Sequence, residues 1–119
     1  AGDVWNMACG RTSGPNCPPE PGPDFDFGAS PILVSTPAGR PLLLAGQKSG
    51  VVHALDPDTG TLVWQTRLGE GSALGGIHWG MAVAGQRLLV PVADPERPGR
   101  RARPGLHALD VASGAVLWS

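Results

Sequence analysis

The sequence predicts an all-β protein, and two observations lead to that prediction. The 119 residues include 18 glycines and 13 prolines, spread so evenly that little room is left for a helix of ordinary length. The runs between these breaks are four to seven residues long and rich in Val, Leu and Trp. Such runs are typical of strands bounded by turns, so we expect short strands joined by tight turns throughout.

A repeated segment divides these strands into two units. Gly50–Trp64 reads GVVHALDPDTGTLVW and Gly105–Trp118 reads GLHALDVASGAVLW, with the shared histidines His53 and His107 54 residues apart. Each copy predicts a strand, a tight turn and a strand, because its aspartate can accept backbone N–H groups ahead of it and its glycine allows the positive φ that closes the turn. A repeat of this length is typical of a β-propeller, in which each blade is a sheet of four antiparallel strands.

The expected strands can be assigned in chain order. The first blade covers residues 29–68, with strands in SPILVST, PLLLAGQ, VVHALD and TLVWQTR. The second blade covers residues 69–119, with strands in IHWGMAV, RLLVPVA, LHALD and AVLWS, and it carries an Arg- and Pro-rich insertion at 94–105. Residues 1–28 form a cysteine-containing loop ahead of the first blade. Since two blades leave open sheet edges, the sequence predicts a fragment of a larger propeller.

The repeated tryptophans and histidines are interpreted as structural. A tryptophan at a fixed position of each blade buries a large apolar surface between neighbouring blades. His53 and His107 occupy the same position in each repeat, and a metal site is rarely duplicated at blade spacing.

Charge and hydropathy exclude two classes of partner. The formal charge of −1 gives no general attraction to nucleic acid. No window approaches the roughly 20 apolar residues that a membrane-spanning helix needs, so no membrane span is expected.

Two short acidic and basic motifs are candidates for chemistry. Asp24 and Asp26 are two residues apart, so a strand would direct both carboxylates to one face, where a hard cation could hold them. The alternative is a pair of solvated loop carboxylates. Lys48, the only lysine, follows the second strand at a tight turn. Its ammonium can donate three hydrogen bonds to developing negative charge, although an exposed turn lysine is the ordinary case.

Two cysteines and one short aromatic motif complete the candidates. Cys9 and Cys17 frame a short loop, and in an oxidising compartment their pairing would add roughly 2–3 kcal/mol by restricting the unfolded chain. Two free cysteines are the alternative. His78 and Trp79 are expected to begin the innermost strand of the second blade and to face the propeller axis.

The repeat pattern Ala-Leu-Asp-x-x-Thr/Ser-Gly-x-x-x-Trp resembles the tryptophan-docking repeat of the pyrroloquinoline quinone (PQQ) dehydrogenases. The segments GPDFDFGASPILV, LLLAGQKSGVVHALD and GGIHWGMA are similar, in this order, to landmarks of the later blades of that family. The opening, GDVWN…C…NCP…GPDFDFGAS, is most similar to the polyvinyl alcohol dehydrogenase type. The resemblance covers nearly the whole chain and implies an eight-bladed periplasmic propeller with PQQ and calcium or a lanthanide on its axis.

The resemblance also implies roles for individual residues. An aspartate, Asp24 or Asp26, would take the alcohol proton while hydride passes to the quinone, and the same pair would hold the metal. Lys48 would bond the quinone oxygens, and His78 and Trp79 would contact PQQ, with core packing as the alternative for these two. The DFDFG stretch differs by one residue in its spacing from the family's usual Trp-Asp-Tyr-x-Gly, so both aspartates stay candidates for the base.

The function implied is alcohol oxidation, including oxidation of polymeric alcohols such as polyvinyl alcohol. Electrons would leave to a cytochrome c, and the remaining blades of the parent chain would complete the ring, so the isolated fragment is expected to be inactive. The alternative is a non-catalytic propeller that serves as a scaffold for protein–protein interaction. The combination of two aspartates with Lys48 argues against a scaffold, because protein binding alone does not require these residues together.

Overall fold

The prediction of an all-β fold is confirmed. The computed structural model describes residues 4, 6, 9, 14–95 and 103–119. These contain two four-stranded antiparallel sheets, each a meander in which every strand pairs with the next. The strands are β1 (Ile32–Ser35), β2 (Pro41–Gly46), β3 (Val51–Leu55) and β4 (Leu62–Arg67) in the first sheet, and β5 (Ala82–Ala84), β6 (Arg87–Val92), β7 (Gly105–Asp110) and β8 (Val116–Trp118) in the second. The middle of the insertion predicted at 94–105 lies outside the described residues.

The hydrophobic core lies between the two sheets. Alternate residues of β2 and β6 point to this core, as a period of two requires. Leu42, Leu44 and Val52 from the first sheet and Leu88, Val90 and Leu109 from the second are fully buried there. The two sheets therefore share one core, as adjacent blades of a propeller do.

One strand is shorter than the sequence predicted. The first strand of the second sheet, β5, begins at Ala82, so His78 and Trp79 lie in the connection before it and do not begin it. Gly76 and Gly80 have φ values of 65° and 117°, which lie outside the extended region. These two left-handed turns of the backbone prevent residues 77–81 from continuing as a strand.

The first repeated tryptophan joins the two sheets. Trp64 Nε1 donates a hydrogen bond of 3.1 Å to the carbonyl oxygen of Val111, and Thr66 Oγ1 donates one of 2.7 Å to that of Gly114. The indole packs so closely on Gly114 that a Cβ there would overlap the ring. The second copy, Trp118, is 47% exposed on the last strand described. The structural role expected for Trp64 is therefore confirmed.

The two repeated turns are built as the sequence predicted. Asp56 Oδ1 accepts hydrogen bonds of 3.1 Å from the backbone N–H groups of Asp58 and Thr59. Asp110 Oδ1 accepts the backbone N–H of Ser113 at 2.9 Å and its hydroxyl at 2.7 Å. These hydrogen bonds favour the ionised carboxylates, so the pKa of Asp56, chiefly through Thr59, and the pKa of Asp110, chiefly through Ser113, lie below the usual value.

The antiparallel meanders place four connections at one end of the sheets. Residues 24–31, 47–50, 68–81 and 93–95 precede the first strand or join later ones at that end, which we call the upper end. The hairpins that carry Asp56 and Asp110 lie at the other end. In the described ranges, no helix is long and apolar enough to cross a membrane.

Candidate functional site

An ion pair at the upper end joins two of the predicted site residues. Lys48 Nζ lies 2.7 Å from Asp26 Oδ2, and the Lys48 backbone N–H donates a 3.0 Å hydrogen bond to the Asp26 carbonyl oxygen. Lys48 is only 8% exposed, whereas the Asp26 side chain is 54% exposed. The pair therefore holds a buried ammonium behind a carboxylate that opens to solvent.

The connection after β4 fixes the turn that carries Lys48. The carbonyl oxygens of four consecutive residues, 47–50, accept hydrogen bonds from the connection or from Arg67 at the end of β4. The donors are Ile77 N to Gln47 O (3.2 Å), Ser72 N to Lys48 O (3.1 Å), Arg67 Nη1 to Ser49 O (2.8 Å) and Leu68 N to Gly50 O (2.8 Å). A turn with its carbonyl groups satisfied in this way is held in one conformation, so the position of Lys48 is defined before any ligand arrives.

This close approach requires glycine. Gly76 has a φ of 65°, and a Cβ placed on it would overlap the carbonyl oxygen of Lys48. A residue with a side chain would have to push the Lys48 turn away and adopt a left-handed conformation at the same time. Gly76, together with Gly71, is therefore explained by packing against this turn.

Asp24 is placed differently from the way the sequence suggested. Its backbone φ is 58°, and residues 21–29 form no strand, so the alternation that would direct both carboxylates to one face is absent. Asp24 is 1% exposed, and its Oδ1 has no hydrogen-bond partner among the described residues. Asp24 therefore points into the protein, while Asp26 opens outward. The described part of the chain brings together no group of three or more His, Cys, Asp or Glu residues suited to a metal ion.

His78 and Trp79 lie beside this segment. Their rings are stacked with centroids 4.5 Å apart and a tilt of 38°, and Trp79 is 78% exposed. The chain at Gly28 runs against His78, since a Cβ there would lie 3.2 Å from the His78 carbonyl oxygen. His78 Nδ1 is buried and unpaired among the described residues. One short segment, 26–28, thus contacts both Lys48 and the His78 region.

A shallow cavity of about 430 Å³ adjoins the same segment, lined by Phe25, Gln47, Ser49, Val51, His53, Gln65 and Arg67. His53 packs edge-on against Phe27 with ring centroids 5.6 Å apart. Burial lowers the pKa of His53, and the Arg67 guanidinium lowers that pKa further, so the neutral imidazole is favoured. These contacts agree with a structural role for His53.

The cysteine loop is linked to the same segment. Cys9 and Cys17 form a disulfide with an S–S length of 2.11 Å and Cα atoms 4.6 Å apart. Asn6 Nδ2 donates a 2.6 Å hydrogen bond to the carbonyl oxygen of Gly22, two residues before Asp24. The loop is therefore attached to the chain that leads into the upper end.

Sequence reasoning missed one buried carboxylate at the upper end. Asp94 follows β6 by two residues, as Lys48 follows β2, and it is 5% exposed. Both of its oxygens accept backbone N–H groups of the connection after β4. The one available signal was an acidic residue between the end of a strand and a proline, which fits many surface loops as well.

Comparisons with known proteins show which proteins this chain is similar to. A family model described as outer membrane protein assembly factor BamB matches residues 48–119. A polyvinylalcohol dehydrogenase from Pseudomonas sp is 42% identical over 119 residues, which are 98% of this chain and 18% of that protein. A polyvinylalcohol dehydrogenase from Sphingopyxis sp. (strain 113P3) is 44% identical over 106 residues, or 87% of this chain and 16% of that protein. The chain thus spans less than a fifth of the length of these relatives.

The solved structure of BamB from Moraxella catarrhalis is also similar, at 22% identity and a TM-score of 0.43. The likeness covers 76% of this chain and 35% of that one.

Proposed function

The chain belongs to the family whose model, described as outer membrane protein assembly factor BamB, matches residues 48–119. From its similarity to two polyvinylalcohol dehydrogenases, we propose that it forms part of the cofactor site of a PQQ- and metal-dependent alcohol dehydrogenase. The observation that carries this proposal is the ion pair between buried Lys48 and exposed Asp26 at the upper end of the sheets. Burying an ammonium group carries a desolvation penalty that can exceed the gain from a single ion pair, so such a group calls for a reason beyond folding. A redox cofactor that becomes negatively charged supplies that reason.

The residues at the upper end fit a quinone. Lys48 Nζ can donate hydrogen bonds to quinone oxygens, where negative charge grows as the ring is reduced. Its turn is held by hydrogen bonds that four of its own carbonyl oxygens accept, so the Lys48 donor needs little reorganisation during the reaction. Trp79 presents an exposed indole against which a planar ring can pack, and His78 lies beside it with an unpaired Nδ1.

The two aspartates fit different parts of the chemistry. Asp24 has a buried, unpaired carboxylate oxygen, which is the type of donor that calcium or a lanthanide takes, with the further ligands coming from other blades. Asp26 is exposed, so its carboxylate can reach an incoming alcohol and accept the hydroxyl proton. The hydrogen bond from Lys48 holds that carboxylate in a fixed orientation. A bound quinone would supply the hydride acceptor, and a bound metal would supply Lewis acidity.

The rest of the proposal concerns the whole protein. Its substrates are alcohols, including polymeric ones, and its electrons pass to a cytochrome c in the periplasm. The remaining blades come from a longer parent chain, which is consistent with the small share of the relatives that this chain spans. The 119 residues alone are proposed to be inactive, because a ring that encloses the quinone needs those blades.

Separate substitutions of the aspartates test this proposal. In the full-length protein reconstituted with PQQ and either calcium or a lanthanide, we expect Asp26→Asn to lower alcohol-dependent dye reduction by about 10²–10⁴-fold, the usual contribution of a general base. Asp24→Asn is expected to raise the metal concentration needed for half-maximal activity. Asp58→Asn, in an exposed turn at the opposite end, is the control and should keep full activity. Full activity in both site variants would refute the proposal.

A scaffold for protein–protein interaction is the second candidate. It is favoured by the match to a family model described as an assembly factor. A scaffold of this kind binds no quinone. Titration of the full-length protein with PQQ, followed by tryptophan fluorescence, distinguishes the two: saturable binding supports the dehydrogenase, and its absence supports the scaffold.

A further inference from the structure

Asp94 is a buried carboxylate whose two oxygens have different partners. Oδ2 accepts the backbone N–H of Glu70 at 2.9 Å, and Oδ1 accepts that of Gly71 at 3.2 Å. Asp94 follows β6 of the second sheet, whereas the two donors belong to the connection that leaves the first sheet. The carboxylate therefore holds the middle of the inter-sheet connection.

The connection is shaped around this carboxylate. A Cβ on Gly69 would overlap the Asp94 side chain, so only glycine allows the backbone to approach so closely. A buried carboxylate is costly unless hydrogen bonds replace its hydration, and hydrogen bonds to a charged acceptor are the stronger kind. The two backbone N–H groups supply this replacement, and they fix residues 69–71 in return.

The same connection holds Lys48 on its other side. The N–H group of Ser72, which follows Gly71 in the sequence, donates a hydrogen bond of 3.1 Å to the Lys48 carbonyl oxygen. Leu68 N–H and Gly69 N–H donate to the Gly50 carbonyl oxygen at 2.8 and 3.3 Å. Hydrogen bonds thus link Asp94, which follows β6, through residues 68–72 to the Lys48 turn between β2 and β3.

We propose that Asp94 is a positioning residue for Lys48. Its carboxylate holds residues 69–72 against the Lys48 turn, and that turn presents the ammonium to Asp26. Among the described residues, Asp94 pairs with Glu70 and Gly71, whereas the Lys48 ammonium pairs with Asp26, so Asp94 acts on the ammonium only through the backbone between them. The consequence for cofactor chemistry rests on the proposed function, whereas the positioning of the amine does not.

The reactivity of the single lysine tests the proposal without any cofactor. Asp94→Asn keeps the size of the side chain but replaces one acceptor oxygen by an N–H₂ group, which faces a backbone donor. We expect the acylation rate of the Lys48 ε-amine by an amine-reactive ester to rise about tenfold, as local opening becomes easier by one strong hydrogen bond. Since the chain has one lysine, mass spectrometry of the peptide that contains it separates this amine from the N-terminal one.

Controls make the experiment specific. Asp58→Asn removes the same charge from an exposed hairpin and should leave the Lys48 rate unchanged. Asp94→Ser, which also removes the carboxylate, is used if Asp94→Asn does not fold, and circular dichroism identifies the folded variants. A wild-type acylation rate in a folded Asp94 variant would overturn the proposal.

A second readout separates this proposal from the proposed function. In the full-length protein, we expect Asp94→Asn to weaken PQQ binding while the KM for alcohol stays unchanged, because the amine and not the alcohol pocket is displaced. If the wild-type protein binds no PQQ but Asp94→Asn still increases Lys48 acylation, the cofactor function fails and the positioning role stands. If wild-type binding is tight and Asp94→Asn changes neither binding nor acylation, the positioning role fails alone.

Discussion

Replacing Lys48 with methionine in the PQQ-loaded full-length protein is expected to lower kcat by about 10²–10³-fold, the loss seen when one preorganised donor to developing negative charge is removed. Methionine has a similar length and suits a buried position, so the packing of the turn should survive. The unpaired Asp26 is half-exposed and can be solvated, so the variant should fold. The measurement is steady-state alcohol oxidation, with the quinone content determined in parallel.

The matched control for Lys48→Met removes a cation at the opposite end of the sheet. Arg40 is exposed and lies 3.9 Å from Asp56 in the hairpin region. Arg40→Met changes the net charge by the same amount as Lys48→Met, yet we expect unchanged turnover. A Lys48→Met enzyme that retains nearly full kcat at full quinone occupancy would show that the buried ammonium takes no part in catalysis.

Gly114→Ala is expected to destabilise the chain by about 2–5 kcal/mol, which is the largest effect we predict for a single methyl group. Its φ of 72° is left-handed, which costs an alanine about 1–2 kcal/mol. The added Cβ would overlap the Trp64 ring, and overpacking adds roughly 1–3 kcal/mol. Urea unfolding of the chain, followed by circular dichroism, measures the difference.

The repeat itself provides the control for Gly114→Ala. Gly60 occupies the same position in the first turn, with a φ of 70° and no atom within 4 Å of a Cβ placed on it. Gly60→Ala should therefore cost only the backbone contribution, about 1–2 kcal/mol. Equal losses in the two variants would contradict the account of tryptophan docking. Gly114→Ala is expected to lose more stability than Gly60→Ala. A double-mutant cycle with Trp64→Ala should show that most of this additional loss depends on the indole.

The elements predicted correctly from the sequence are those that local patterns define. The hairpin turns need only an aspartate that accepts nearby N–H groups and a glycine that adopts positive φ, and Asp56 and Asp110 show this in both repeats. Trp64 docks on the second sheet because the repeat places an indole on the face that meets the next turn. Such features could be inferred because every contributing residue lies within a few positions or recurs at the repeat spacing.

The features that were missed depend on contacts between distant segments. Asp94 has a role only because residues 69–71 come within hydrogen-bonding distance from the other sheet. The late start of β5 results from left-handed glycines that let the connection approach the Lys48 turn. Asp24 differs from expectation because its backbone is left-handed, a conformation unusual for a residue with a side chain. The spacing of residues in the sequence does not show which distant segments come into contact in the fold.

The packing of the upper end also explains why its glycines and its charges occur together. Glycines let the connection after β4 come into contact with the Lys48 turn, and backbone N–H groups of that connection donate to carbonyl oxygens of the turn and to Asp94. The ammonium is thereby held at a fixed place with Asp26 beside it. This rigidity is the property that a donor to a reduced quinone requires.

A crystal structure of the full-length protein with PQQ bound tests the central claim most directly. We predict that Lys48 Nζ lies about 3 Å from a quinone oxygen, the distance of a direct hydrogen bond, with Asp26 next to the same edge of the ring. A quinone bound on other blades, with the Lys48–Asp26 pair remote from it at the rim of the ring, would contradict the account.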